Sequence, residues 1–171
     1  MKFGTKVIIA LALLANLWFV SSCNNGPKRE VWLDEVYKDS CFVQDWGIPQ
    51  INQSVVWTPL TVNGVVYKRG IGAHSISRML YDLGGKAVSV SGLVGADDNN
   101  LYAGKLQFKI IGDKKELWKS GVMQKGDPVK EFNVNLSGID KVLLLVEECG
   151  DGIMYDHADW LNVKFVTHGE I

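Results

Sequence analysis

Leu106-Gln107-Phe108-Lys109-Ile110 places an apolar side chain at every second position, with a polar one between. Successive strand side chains point to opposite faces, so this period predicts a strand with one face in a core and one in water. Val88-Ser89-Val90-Ser91-Gly92, Phe132-Asn133-Val134-Asn135-Leu136 and Leu161-Asn162-Val163-Lys164-Phe165 repeat it. Val142-Leu143-Leu144-Leu145-Val146 is apolar throughout, which predicts a central strand covered on both faces. Leu60–Val62 and Val65–Tyr67 flank Asn63-Gly64, a pair suited to the type I′ hairpin turn, whose two central residues need positive φ. After residue 30 no stretch of twelve shows clean 3.6-residue periodicity, and Glu30–Lys38 supplies one helical turn at most. Turn signals such as Gly84-Gly85, Gly112-Asp113, Gly126-Asp127-Pro128 and Ser137-Gly138 punctuate the rest. The expectation is an all-β fold, an antiparallel β-sandwich of two sheets packed face to face.

The chain has 171 residues, 47% of them apolar and 22% charged, with 18 Lys and Arg against 19 Asp and Glu. That suits one globular domain and argues against nucleic acid as a partner, because no basic cluster is present to neutralise phosphates. Lys2 and Lys6 accompany an apolar run, Val7 to Val20, that only Asn16 breaks, and the small Ser21-Ser22 follow. The pattern reads as a secretory signal, too short and wrongly flanked for a membrane span. Val20-Ser21-Ser22-Cys23 resembles a bacterial lipobox, which implies that Cys23 is the lipidated first residue of the mature protein. The alternative is an ordinary export signal with a Cys beside its cut. The expected organisation is a lipoprotein signal peptide over 1–22, a lipidated Cys and tether over 23–30, and a β-sandwich domain over 31–171. Such a protein is exported and anchored at the bacterial cell envelope, on the outer membrane or cell surface. A single acyl chain gives only marginal membrane binding, and several on one residue exceed that limit and anchor stably. Cys41 and Cys149 lie in a compartment that permits a disulfide, but a chain with a good core does not require one. Cys149 follows the apolar run 142–146 and reads as a buried thiol.

Three turn-rich segments gather the polar and aromatic side chains. They are Tyr67-Lys68-Arg69-Gly70-Ile71-Gly72-Ala73-His74-Ser75, Val94-Gly95-Ala96-Asp97-Asp98-Asn99-Asn100, and Gly150-Asp151-Gly152-Ile153-Met154-Tyr155-Asp156-His157-Ala158-Asp159-Trp160. In the first, Gly70 and Gly72 suggest an exposed bend that brings Arg69 and His74 toward one spot. Together with Trp46-Gly47-Ile48-Pro49 and Asn52-Gln53-Ser54-Val55, these segments resemble, in order and over about residues 31–166, the NPCBM family of carbohydrate-binding modules, related to carbohydrate-binding module family 51. The resemblance implies a jelly-roll-like, galactose-binding-domain-like sandwich that is non-catalytic and binds glycans, with galactose-type sugars as ligand. Family members usually accompany glycoside hydrolases, so glycan-processing envelope proteins are implied as partners. Here the module is expected to stand behind a lipobox.

The residue chemistry suits a sugar independently. A pyranose offers an apolar C–H patch and hydroxyls that donate and accept, so a site needs an aromatic platform with mixed polar groups on rigid turns. Trp160, Tyr155 or Tyr102 is the candidate platform. Asp98, Asp156 and Glu147 are candidate acceptors, Arg69 a donor, and His74, His157 and Asn99 can do either. Simpler readings stand beside these: Trp160 as a core residue, Asp156 and Asp159 as loop caps through Asx-type bonds, His157 as a buried orienting group. Asp97-Asp98 is a candidate structural calcium site, although the spacing is not that of an EF-hand. Three dispersed His and no suitable Cys pair argue against zinc. Two other functions compete. Glu147, Glu148, Asp151, Asp156 and Asp159 could furnish the carboxylate pair of a small glycoside hydrolase. The third reading is a structural or partner-binding envelope lipoprotein without sugar binding.

Overall fold

The computed structural model describes residues 26–171; the signal segment and Cys23 lie outside the described residues. In chain order the strands are β1 (Lys28–Trp32), β2 (Cys41–Gln44), β3 (Gln50–Ile51), β4 (Leu60–Val62), β5 (Val65–Tyr67), β6 (Gly70–His74), β7 (Ser77–Asp82), β8 (Ala87–Ala96), β9 (Leu106–Gly112), β10 (Lys115–Met123), β11 (Lys130–Asn135), β12 (Lys141–Glu148) and β13 (His157–His168). A single helical turn, Leu33–Val36, and a 3₁₀ turn, Tyr37–Asp39, follow β1, within the stretch where the sequence allows one turn.

The larger sheet runs β11-β8-β13-β6-β3, and β1 also pairs with β13. The smaller runs β10-β9-β12-β7-β2, and every strand pairing is antiparallel. β12 is the middle strand of its sheet, as its continuous apolar run predicts. Val142, Leu144 and Val146 enter the core, and the outward Leu145 is buried as well. The alternating residues of β9, Leu106, Phe108 and Ile110, face Val90, Val94, Trp160 and Phe165 of the larger sheet in one buried cluster. Burying a side chain of this size contributes roughly 1.5–3 kcal/mol, so the inner faces dominate stability.

The β4–β5 hairpin turns where expected: Asn63 has φ 49° and Gly64 φ 76°. It packs on the outer side of the larger sheet, where Leu60, Val62 and Leu161 form a second small apolar cluster. Cys41 is exposed, Cys149 is half-buried instead of buried, and both are free thiols.

The main departure concerns the first two turn-rich segments. Gly70–His74 is a strand with all five residues buried, not an exposed bend, and Val94–Ala96 ends the long strand β8. The glycines serve close approach. A methyl on Gly72 would collide with the Gln53 carbonyl and lie 2.5 Å from Ser54 Cα, and one on Gly95 would lie 2.5 Å from Val62. They let residues 53–62 lie flat on the sheet.

Candidate functional site

β6 ends at His74 where β13 begins at His157, and the two residues are direct cross-strand partners. Neighbouring Ile71, Ala158 and Trp160 point into the core, so by strand alternation both imidazoles project from the opposite, outer face. Trp46 comes down on them: its ring is 4.9 Å from that of His74 and stacks at 9° on His157, 5.9 Å away, while the imidazoles are 5.6 Å apart. Three rings thus form one wall of a cavity of about 580 Å³. Val56, Asn99, Leu101, Ile153, Met154 and Tyr155 complete its lining.

Backbone clamps fix the rings. Gln44 Oε1 accepts from the His74 N–H at 3.0 Å while its Nε2 donates to the Trp46 carbonyl at 2.6 Å. Asn100 does the same for His157, accepting from its N–H at 2.8 Å and donating to its carbonyl at 3.0 Å. His74 Nδ1 donates to the Ser75 carbonyl at 2.5 Å, which leaves Nε2 as an acceptor. Ser75 in turn donates through its hydroxyl to Asp156 Oδ2 at 2.5 Å and through its N–H to the Asp156 carbonyl at 3.1 Å. Asn99 directs both amide hydrogens inward, to Thr58 Oγ1 at 2.6 Å and Asp97 Oδ1 at 2.7 Å, which leaves its carbonyl oxygen available. Burial holds both imidazoles below the usual histidine value, and His74 lowers His157 further. They are neutral at pH 7, able to donate from one nitrogen and accept at the other. Such a seat matches hydroxyl groups better than ions.

Residues 29–166 match the model of the NPCBM/NEW2 domain. The chain belongs to that family. A carbohydrate-binding module of family 51 from Clostridium perfringens GH95, solved in complex with methyl-galactose, superposes on this NPCBM domain with a TM-score of 0.73 and 27% identity, covering 80% of this chain and 99% of that one. The M60 catalytic domain with two such modules from Clostridium perfringens ZmpB gives a TM-score of 0.74 at 28% identity, over 82% of this chain and 15% of that one. Alpha-1,3-galactosidase B of Akkermansia muciniphila is 30% identical over 130 residues, 74% of this chain. The NPCBM domain spans only 16% of that enzyme's length.

Of the residues the sequence singles out, the NPCBM domain brings His74, Asn99, Tyr155 and His157 to the cavity, and Tyr102 packs its ring 4.9 Å from that of Tyr155 without lining the cavity. Five lie elsewhere. Trp160 is fully buried between the sheets, its ring edge-on to Phe108 and Phe132, so the core reading holds. Arg69 is paired with Asp34 at 2.9 Å and Glu35 at 2.7 Å and lies over the Trp32 ring. Asp98 accepts from the N–H groups of Asn63 and Gly64 and so fastens the hairpin turn. Glu147 pairs with Lys109 at 2.6 Å on the other sheet. Asp156 is buried behind Ser75 and positions it instead of facing the cavity. The carboxylates a hydrolase would need are likewise dispersed: Glu148 accepts from the Gly150 N–H, Asp151 from the Lys105 N–H, and Asp159 is buried beside Asp97.

Trp46, Gln44 and Asn100 are the residues that reading for single polar side chains misses. Trp46 carried a signal, being aromatic beside Gly47 and Pro49 in a loop. Gln44 and Asn100 act through backbone contacts 30 and 57 residues away, which no local pattern encodes.

Proposed function

We propose that this chain is a non-catalytic carbohydrate-binding lipoprotein that holds a neutral, galactose-type sugar in the Trp46–His74–His157 cavity. The observation that carries the proposal is the paired neutral imidazoles, each gripped through its backbone, beside a half-exposed indole in an otherwise apolar hollow. The hydroxyls of a hexose would meet His74 Nε2, His157 and the Asn99 carbonyl oxygen, while its C–H face meets Trp46. The methyl-galactose complex of the similar module supports the choice of galactose. Calorimetry with galactose, N-acetylgalactosamine and glucose tests it. Saturable galactose binding that His74→Ala weakens at least about tenfold is expected; no binding to any of the three sugars would leave the partner-binding lipoprotein as the better reading.

Cys23 supplies the lipid anchor, and the cell envelope, at the outer membrane or cell surface, is the place where the module works. Many copies on one membrane would raise avidity for glycans and for glycan-processing proteins there. Labelled palmitate should enter the chain and be absent from a Cys23→Ala variant, which should leave the membrane fraction.

The proposed calcium belongs at Asp97 and Asp159, since Asp98 is engaged by the hairpin. Both carboxyls are buried, and neither oxygen of Asp159 has a hydrogen-bond partner. Burial and the neighbouring Asp97 push the Asp159 carboxyl well above the usual carboxylate range, so the pair holds either a proton or a hard, oxygen-preferring cation, and we propose the cation. Among the described residues no group of three metal-binding side chains gathers, so backbone oxygens would complete the shell. Chelator should lower the unfolding midpoint and calcium restore it; a midpoint indifferent to both assigns the pair a shared proton instead.

A further inference from the structure

The cavity lining is of two kinds. Beside the polar His74, His157 and Asn99 it carries Leu101, 74% exposed, Met154, 72% exposed, and Ile153, with Tyr155, whose ring packs edge-on against that of Tyr102. These side chains come from two separate loops, 97–105 and 149–156, joined where the Cys149 N–H donates to the Lys105 carbonyl at 2.9 Å and the Lys105 N–H to Asp151 at 3.2 Å. The two loops that carry these side chains are therefore tied to each other at their bases. Sugar hydroxyls laid on Leu101, Ile153 or Met154 would lose water and find no side-chain partner on those three, which costs about 1–3 kcal/mol each. An apolar group laid there gains instead, and Met and Leu adapt to its shape.

Resting on the sugar-binding reading, we infer that the Leu101–Met154 shelf is a second subsite that takes the apolar aglycone of a neutral glycoside whose sugar ring sits on His74, His157 and Trp46. The continuity of shelf and sugar seat in one cavity identifies the occupant as part of the same ligand. Its size agrees: about 580 Å³ falls within the range of sites for drug-sized molecules, beyond the needs of one pyranose.

The full-length protein is titrated with methyl and 4-nitrophenyl galactosides of each anomer, and the affinity ratio within an anomer is the readout. For at least one anomer the aryl glycoside should bind about five- to twentyfold tighter than the methyl glycoside. A Leu101→Ser, Met154→Ser double variant, altered only at exposed tips, should bring that ratio close to one. Methyl glycoside binding without an aryl gain, or a gain that survives in the double variant, overturns the inference and leaves the sugar seat intact. Failure of both glycosides to bind removes the sugar-binding reading and the subsite with it. Sedimentation that shows a dimer abolished by the double variant would assign the shelf to a second copy and also overturn the proposal.

Discussion

His74 and His157 set the pH response of the site. In the unfolded chain these rings take up protons near pH 6.5, whereas burial keeps them neutral to lower pH in the folded chain. Their contribution to stability is therefore complete above about pH 6.5 and is lost as pH falls through their lowered values. Galactose affinity should stay level from pH 8 through about 6.5 and fall only at lower pH, where the folded rings take up protons, as read by calorimetry from pH 8 downward; affinity that rises on acidification contradicts neutral rings in the seat. Asp156 runs the other way. Burial lifts its carboxyl to about 6, so its contribution is complete below about pH 4 and is lost as pH rises through about 6. Asp156→Asn keeps an acceptor for Ser75 without the charge, and the variant should gain on the wild type between pH 5 and pH 8 in thermal melts. The two tryptophans separate binding from folding. Trp160→Ala should cost about 3–5 kcal/mol in denaturant unfolding. Trp46→Ala should instead leave stability within about 1 kcal/mol and abolish measurable sugar binding.

At the level of elements, β6 shows where periodicity stops informing. Leu106–Ile110 and Phe132–Leu136 announce themselves because their polar residues face water. In Gly70–His74 the outward positions are covered, Gly70 and Gly72 by residues 53–60 and His74 by Trp46, so polarity no longer alternates, and two glycines imitate a turn. The glycines differ in what they meet, and that difference is testable. At Gly72 an added methyl strikes backbone, which cannot step aside, and Gly72→Ala should cost about 3 kcal/mol. At Gly95 it strikes the Val62 side chain. The Gly95→Ala and Val62→Ala changes should therefore couple favourably by about 1 kcal/mol in a double-mutant cycle; strict additivity there would mean that the cover does not rest on the sheet as described.

For the whole molecule, the sandwich and the meeting of its turn-rich segments were legible, because core strands and loop polarity are local properties. The division of roles within those segments was not. Asp98, Glu147 and Arg69 have the right chemistry for a sugar, but each has a closer partner brought by another strand or turn, which only the fold reveals. The two described cysteines are unbridged, so no disulfide between them supports the core. Adding reductant should leave the melting midpoint unchanged, and a fall of several degrees would reveal a crosslink. A last consequence comes from β13, which carries His157 at its start and pairs its end, His168, with Lys28 at the start of β1. At about 3.3 Å per residue the strand holds these points roughly 35 Å apart. If the proposed lipid on Cys23 holds the chain upstream of residue 28, the cavity opens at the end of β13 remote from that attachment.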